Sequence, residues 1–424
     1  MRERGGLWFI EGWNSERAPD RHNLIIPPPT SEAGYRVPGK SSSLDQTLTI
    51  NAQKAEVSLQ KILAAVMEKP FLPIQVREFE EPELEMNSAI LDVRLSEVCG
   101  TDLHLHAGHL AGVPYPIIPG HVSVGVLRKI RGSLVDSDDR KFREGDEVTF
   151  LDVHGTCGVC WYCAVAKAST RCPKRKVYGV TYGVADGLAG GWAQSVYLKP
   201  NTRCLSLQGV DPQRFMAGGC SLPTAVHAVE RAEISLGDIV LVLGSGPVGI
   251  SIIICALLRG AHRVFCLGAP EARLHVTRLA GAHQTKDFTT CTEAERLEWV
   301  RDLTNGRGAD VTIEATGNPH AAVDAMRFTR DAGRVVIVGQ YTNAGDVSIN
   351  PHLDLNKKHL DVRGCWGSDF SHFYKSVRLM TDPSRSASWS ALPLKFYGLS
   401  EVNAALKDVA AGAASKSLIN PQLG

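Results

Sequence analysis

The sequence predicts an α/β protein in which a β-rich, barrel-like domain is followed by a doubly wound parallel sheet. Three observations lead there. Between residues 60 and about 200, short runs with alternating apolar positions are bounded by Pro and Gly, the pattern of antiparallel strands. From Ile239 the chain reads IVLVL, then GSGPVG, then an apolar helix, which is how a βαβ unit opens. Strand–helix alternation continues through RVFCLGA, PEARLHVTRLAGA, ADVTIEATG, NPHAAVDAMRFTRDAG and RVVIVG, building a parallel sheet with helices on both faces.

At 424 residues the chain is long enough for two or three domains with substantial cores. Residues 1–59 read as a flexible N-terminal extension, since Pro27 to Pro29 and the stretch Gly39 to Ser43 carry no periodicity. Arg2, Arg4, Arg17 and Arg21 would suit a targeting segment, but Glu3, Glu11, Glu16 and Asp20 offset them. The first domain is assigned to residues 60–221. Within it IQVREFEE and SAILDVRLSEV, set off by Pro73 and Pro82, are expected strands. VGVLRKI and DEVTFLDV are two more, with Gly145 and Asp146 turning the chain before Glu147. Near residue 212 the spacing of DPQRFMAGGCSLPTAVHAVERAEIS becomes helical. The parallel sheet is assigned to residues 222–365, and residues 366–424 return to the first domain.

Basic and acidic residues number 46 and 45, so no charged footprint for nucleic acid or a membrane surface exists. The longest apolar run, Val248 to Leu258, is too short to span a bilayer. Four of the 11 cysteines crowd into one loop, and Met1 to Asn51 lacks a secretory pattern. Metal binding in a reducing cytoplasm is therefore expected in place of disulfides.

The chemistry concentrates in VCGTDLHLHAGHLAGVPYPIIPGHVSVG, Val98 to Gly125. Cys99 is followed by Thr101, Asp102 and His104, and His121 sits in a Pro-Gly-His turn. Thiolate and imidazole are ligands zinc prefers, and a carboxylate commonly orients a ligating histidine. Cys157-x2-Cys160-x2-Cys163-x8-Cys172 can close an all-sulfur tetrahedral zinc site with no open position. Such a site is structural; an iron–sulfur cluster or free thiols are the rival readings. Gly244-Ser245-Gly246-Pro247-Val248-Gly249 joins strand to helix, so backbone and helix N-terminus can receive a pyrophosphate. Gly268 stands where an acid would hold the ribose of NAD; Glu271 could still reach the ribose, and Arg273 a 2′-phosphate. NAD and NADP both stay open.

VCGTDLH, the PGH turn, the four-cysteine loop and GSGPVG occur in the order found in zinc-dependent medium-chain alcohol dehydrogenases. The chain resembles that family over residues 60–424, with threonine and sorbitol dehydrogenases as the nearest kind. The resemblance implies a GroES-like catalytic barrel coupled to a Rossmann domain. It implies catalytic-zinc ligands Cys99, His121 and Cys220, two cysteines and a histidine with an open position, as known for alcohol dehydrogenase. It further implies that Asp102 orients the zinc-bound histidine and that Thr101 and His104 form a proton relay. Thr224 and Val248 would press on the nicotinamide, and Lys416 would lie near the pyrophosphate. Two departures stand out. The family usually has Gly-His-Glu where this chain has Val122, and its last cysteine gap is usually one residue shorter.

The expected activity is oxidoreduction of an alcohol and its aldehyde or ketone, with hydride passing to or from NAD(P). A zinc-free enone or quinone reductase and a non-catalytic nucleotide-binding protein are the alternatives. The substrate pocket is expected around Leu110 to Pro116, Val153, Trp161, Tyr182 and Cys365 to Asp369. The family implies a homodimer or homotetramer.

Overall fold

The computed structural model describes residues 61–412 and 416–423. The expected extension, residues 1–59, lies outside them. The first sheet is built on Ser88–Val98, an 11-residue strand buried along most of its length. It pairs antiparallel with Ser123–Arg131, Ser195–Leu198 and Lys416–Ile419. Glu147–Phe150 and Cys204–Ser206 extend the sheet on one side, and Leu394–Tyr397 joins through Lys416–Ile419 on the other. The last described strands thus join the sheet that Ser88–Val98 begins, while Lys61–Val66 and Gln75–Glu80 pair with each other in a separate two-stranded antiparallel sheet. Register shifts between Ile90 and Leu91 and between Val93 and Leu95 bend Ser88–Val98, as closing a barrel requires.

The second sheet runs Gln284–Asp287, Arg263–Gly268, Ile239–Leu243, Ala309–Glu314, Thr329–Ile337, Asp361–Gly364, every neighbour pairing parallel. Ile239–Leu243 is the first of these in the chain, and the order reverses on either side of it. That switch point opens a crevice at the carboxyl ends of the strands. Val240 to Leu243 are all buried, as a central strand covered on both faces demands. The helix Pro247–Leu258 that follows buries every residue from Gly249 to Ala256. The strand Gln284–Asp287 was not legible in sequence because QTKD is short and polar. The helix Glu293–Leu303 did leave a sign, the capping box of Thr292 and Glu295. Among the described residues no helix is long and apolar enough to cross a membrane.

Candidate metal centre and dinucleotide crevice

Each candidate ligand sits where an element ends. Cys99 follows Ser88–Val98 and caps the helix Gly100–His106, its Sγ accepting from the Thr101 N–H at 3.3 Å. Asp102 returns to the cap, its Oδ2 accepting from the Cys99 N–H at 2.8 Å. His121 follows Gly120, which has φ +88° and would place a Cβ 2.5 Å from Trp192 Cδ1. Only glycine allows the Pro-Gly-His turn to pack so closely. Cys220 stands at the N-terminus of the helix Ser221–Ala232.

These three residues converge. One ligand atom of each of Cys99, His121 and Cys220 lies within 4.8 Å of the others. His121 Nδ1 and Asp102 Oδ1 are buried without a hydrogen-bond partner. Burial disfavours a charged His121, but the hydrogen bond and charge of Cys220 prevail and push its imidazole up to about 10. The hydrogen bond from Cys99 brings the Cys220 thiol down to about 7, while the same bond and burial push Cys99 well up. Burial raises the Asp102 carboxyl, opposed by His121. Two sulfurs and a ring nitrogen at this spacing, beside orphaned polar atoms, fit a zinc ion.

Cys157, Cys160, Cys163 and Cys172 form a second cluster, again within 4.8 Å. Cys157 and Cys172 sulfurs are 3.7 Å apart and Cys160 and Cys172 sulfurs 4.0 Å, far beyond a disulfide. A tetrahedron of sulfurs about 2.3 Å from zinc has edges of roughly 3.8 Å. Backbone N–H groups of Val159 and Cys160 lower the Cys157 thiol to about 6. Burial and the Cys160 sulfur raise Cys163 to about 12. The last gap contains the turn Ser169–Arg171, which ends at Cys172.

The glycine turn meets the first cluster. Gly244 has φ +114°, and a Cβ on Gly249 would stand 2.0 Å from the Gly244 carbonyl oxygen. The helix Pro247–Leu258 is capped by Gly246 with no side-chain bond, leaving its N-terminus to an anion. A cavity of about 900 Å³ is lined by Cys99, His121 and Cys220 together with Thr101, His104, Thr224, Gly246, Pro247 and Val248. Ser245 is buried, its hydroxyl donating to Ala269 O at 2.9 Å. Gly268 lies against it, so that a Cβ there would be 2.6 Å from Ser245 Oγ. Arg273 is half-buried beside Gly412, and burial lowers its pKa.

Some expectations change. Lys416 does not face a pyrophosphate: its Nζ is buried in an ion pair with Glu97, behind Cys220, because strand pairing carries it into the barrel. Leu110, Val113, Val153, Cys365 and Trp366 do line the cavity, but Trp161 is exposed on the cysteine loop and Tyr182 is turned onto His154. Sequence reasoning missed Asp152, Arg175 and Tyr341, which also line it. It also missed Glu314, whose buried carboxylate accepts from the N–H groups of Thr316, Gly317 and Gly339. That carboxylate ties the loops after two neighbouring strands at the crevice. The only sequence sign was an acid inside the apolar run ADVTIE.

Comparison with known proteins agrees. Residues 85–209 match the alcohol dehydrogenase GroES-like domain, and residues 247–382 match the zinc-binding dehydrogenase family. The 5-exo-hydroxycamphor dehydrogenase of Pseudomonas putida is 28% identical over 347 residues, 79% of this chain and 92% of that one. The L-threonine 3-dehydrogenase of Pyrococcus abyssi is 27% identical over 362 residues, covering 84% and 98%. A crystal structure of an alcohol dehydrogenase from Thermotoga maritima superposes with TM-score 0.81 at 30% identity, covering 86% of this chain and 100% of its own. The two family matches and the fold shared with these relatives agree with the motifs already described: the chain belongs to the zinc-dependent medium-chain alcohol dehydrogenase family.

Proposed function

We propose that this protein interconverts an alcohol and its aldehyde or ketone, with zinc at Cys99, His121 and Cys220 and hydride passing to or from NAD(P). The observation that carries this is the shared cavity, in which the three converging ligands and the Gly246–Val248 turn line the same walls. A zinc ion bound there would supply Lewis acidity toward the substrate oxygen. The chain's own groups do the rest. Gly244 to Gly249 and the helix N-terminus receive the pyrophosphate, while Thr224 and Val248 back the nicotinamide. Asp102 orients His121. Thr101 passes the alcohol proton toward His104, whose pKa is lowered by burial and by His109. A neutral His104 imidazole can accept that proton near neutral pH.

Cys157, Cys160, Cys163 and Cys172 hold a second, structural zinc that organises their loop. Residues 60–221 and 366–424 form the catalytic domain and 222–365 the dinucleotide domain. A homodimer or homotetramer in the cytoplasm fits the family. A sugar alcohol or a larger secondary alcohol is the substrate class its relatives suggest: Mycolicibacterium smegmatis has an erythritol/L-threitol dehydrogenase 28% identical over 325 residues.

The test is zinc content together with turnover of an alcohol panel, with NAD and with NADP. Cys99→Ser and His121→Ala should lose turnover by about a thousandfold or more while still binding dinucleotide, since each removes a ligand from a three-ligand site. Full activity in zinc-depleted protein would overturn the proposal.

A further inference from the structure

Glu97 touches all three ligand-bearing segments. It lies two residues before Cys99 and is 1% exposed. Its N–H donates to the carbonyl of Val122, the neighbour of His121, at 3.0 Å. Its carboxylate Oε2 accepts from the Cys220 N–H at 2.6 Å, across 123 residues of sequence. Cys220 Sγ stands 3.5 Å from the other oxygen. Its carbonyl is held by Trp192 Nε1 at 3.0 Å, the same tryptophan that packs on Gly120.

The site is built for a carboxylate. Lys416 Nζ pairs with Glu97 with side-chain exposures of only 2% and 1%. The acid faces the N-terminus of the helix Ser221–Ala232, where negative charge is favoured. Gly219, at φ +49°, would put a Cβ 2.1 Å from Glu97 Oε2, so the backbone is bare where the acid approaches. Val122, the residue beside His121, is apolar and supplies no such group. A buried ion pair costs desolvation and need not add stability, so its place behind a ligand asks for another explanation.

We propose that Glu97 is a positioning residue of the metal centre, fixing Cys220 against Cys99 and His121, with Lys416 as its counter-charge. The inference rests on the zinc reading above. It acts through geometry: groups that orient a ligand from behind commonly tune metal retention by about 10- to 100-fold.

The test uses the full-length zinc-loaded protein, following zinc release to a coloured chelator and the visible spectrum after cobalt substitution. In Glu97→Gln the zinc of the first cluster should leave about 10- to 100-fold faster, and its cobalt–thiolate bands should shift. The four-cysteine zinc should leave at the wild-type rate, which reports that the fold is intact. Glu97→Gln with Lys416→Met removes both charges, and fast release should persist there. Wild-type release and spectrum in Glu97→Gln, or their return in the paired variant, would overturn the proposal. Should Glu97→Gln fail to fold, Glu97→Asp is measured in the same way, and unchanged release in it is equally fatal. A wild-type chain lacking zinc at the first cluster, or a Cys220→Ser chain that retains it, would instead sink the zinc reading itself.

Discussion

Gly268 illustrates how much one residue can decide. In the sequence it is simply an absent acid at the end of the second strand of the dinucleotide sheet. In the structure its Cα lies so near Ser245 that no side chain fits without moving that residue. Ser245 is in turn tied to Ala269 through both its hydroxyl hydrogen and its oxygen, at 2.9 and 3.1 Å. Gly268→Asp should therefore not create an NAD-selective enzyme. It should weaken binding of NAD and NADP alike, at an overpacking cost of about 1–3 kcal/mol. Fluorescence titration with each dinucleotide checks this, and tighter NAD binding in the variant would contradict it.

Helices carry their own pH dependence. The helix Ser221–Ala232, headed by Cys220, packs on Phe370–Thr381 through stacked His227 and His372 rings, centroids 4.2 Å apart. Asp369, Glu230 and Arg231 surround the pair. Burial lowers the His227 pKa, with His372 adding to the shift and the Gly367 carbonyl opposing it. A depressed histidine favours the neutral folded form, so its stabilising contribution is complete above the unfolded value of about 6.5 and declines as pH falls below it. The slope from one such group reaches at most about 1.4 kcal/mol per pH unit. His227→Asn should flatten the loss of thermal stability between about pH 7.5 and about pH 5. An unchanged pH profile would place the acid sensitivity elsewhere.

At the scale of the whole molecule, the last strand closes the catalytic sheet. Lys416–Ile419 is buried throughout, links Leu394–Tyr397 to Ser88–Val98, and delivers Lys416 to Glu97. Removing residues 413–424 should therefore disturb more than a tail. It exposes the edge of the central strand and strands a buried carboxylate, a loss of about 3–5 kcal/mol from the unpaired charge alone. Denaturant unfolding should show this, together with loss of zinc from the first cluster.

Much of this architecture was written locally. The glycine turn, the Pro-Gly-His turn, the four-cysteine loop and the Cys99-to-His104 segment are each short, and their chemistry depends on neighbours within a few residues. Sequence alone therefore determined the fold class and singled out the cysteines, the histidine and the glycine turn that the structure gathers around one cavity. It could not place Lys416, assign Trp161 and Tyr182 to their true surroundings, or reveal what Glu97 touches. Those depend on pairings such as that of Glu97 with Lys416, 319 positions apart in sequence. Only packing of strand and helix ends decides them, because contact energies between distant residues leave no periodic trace along the chain.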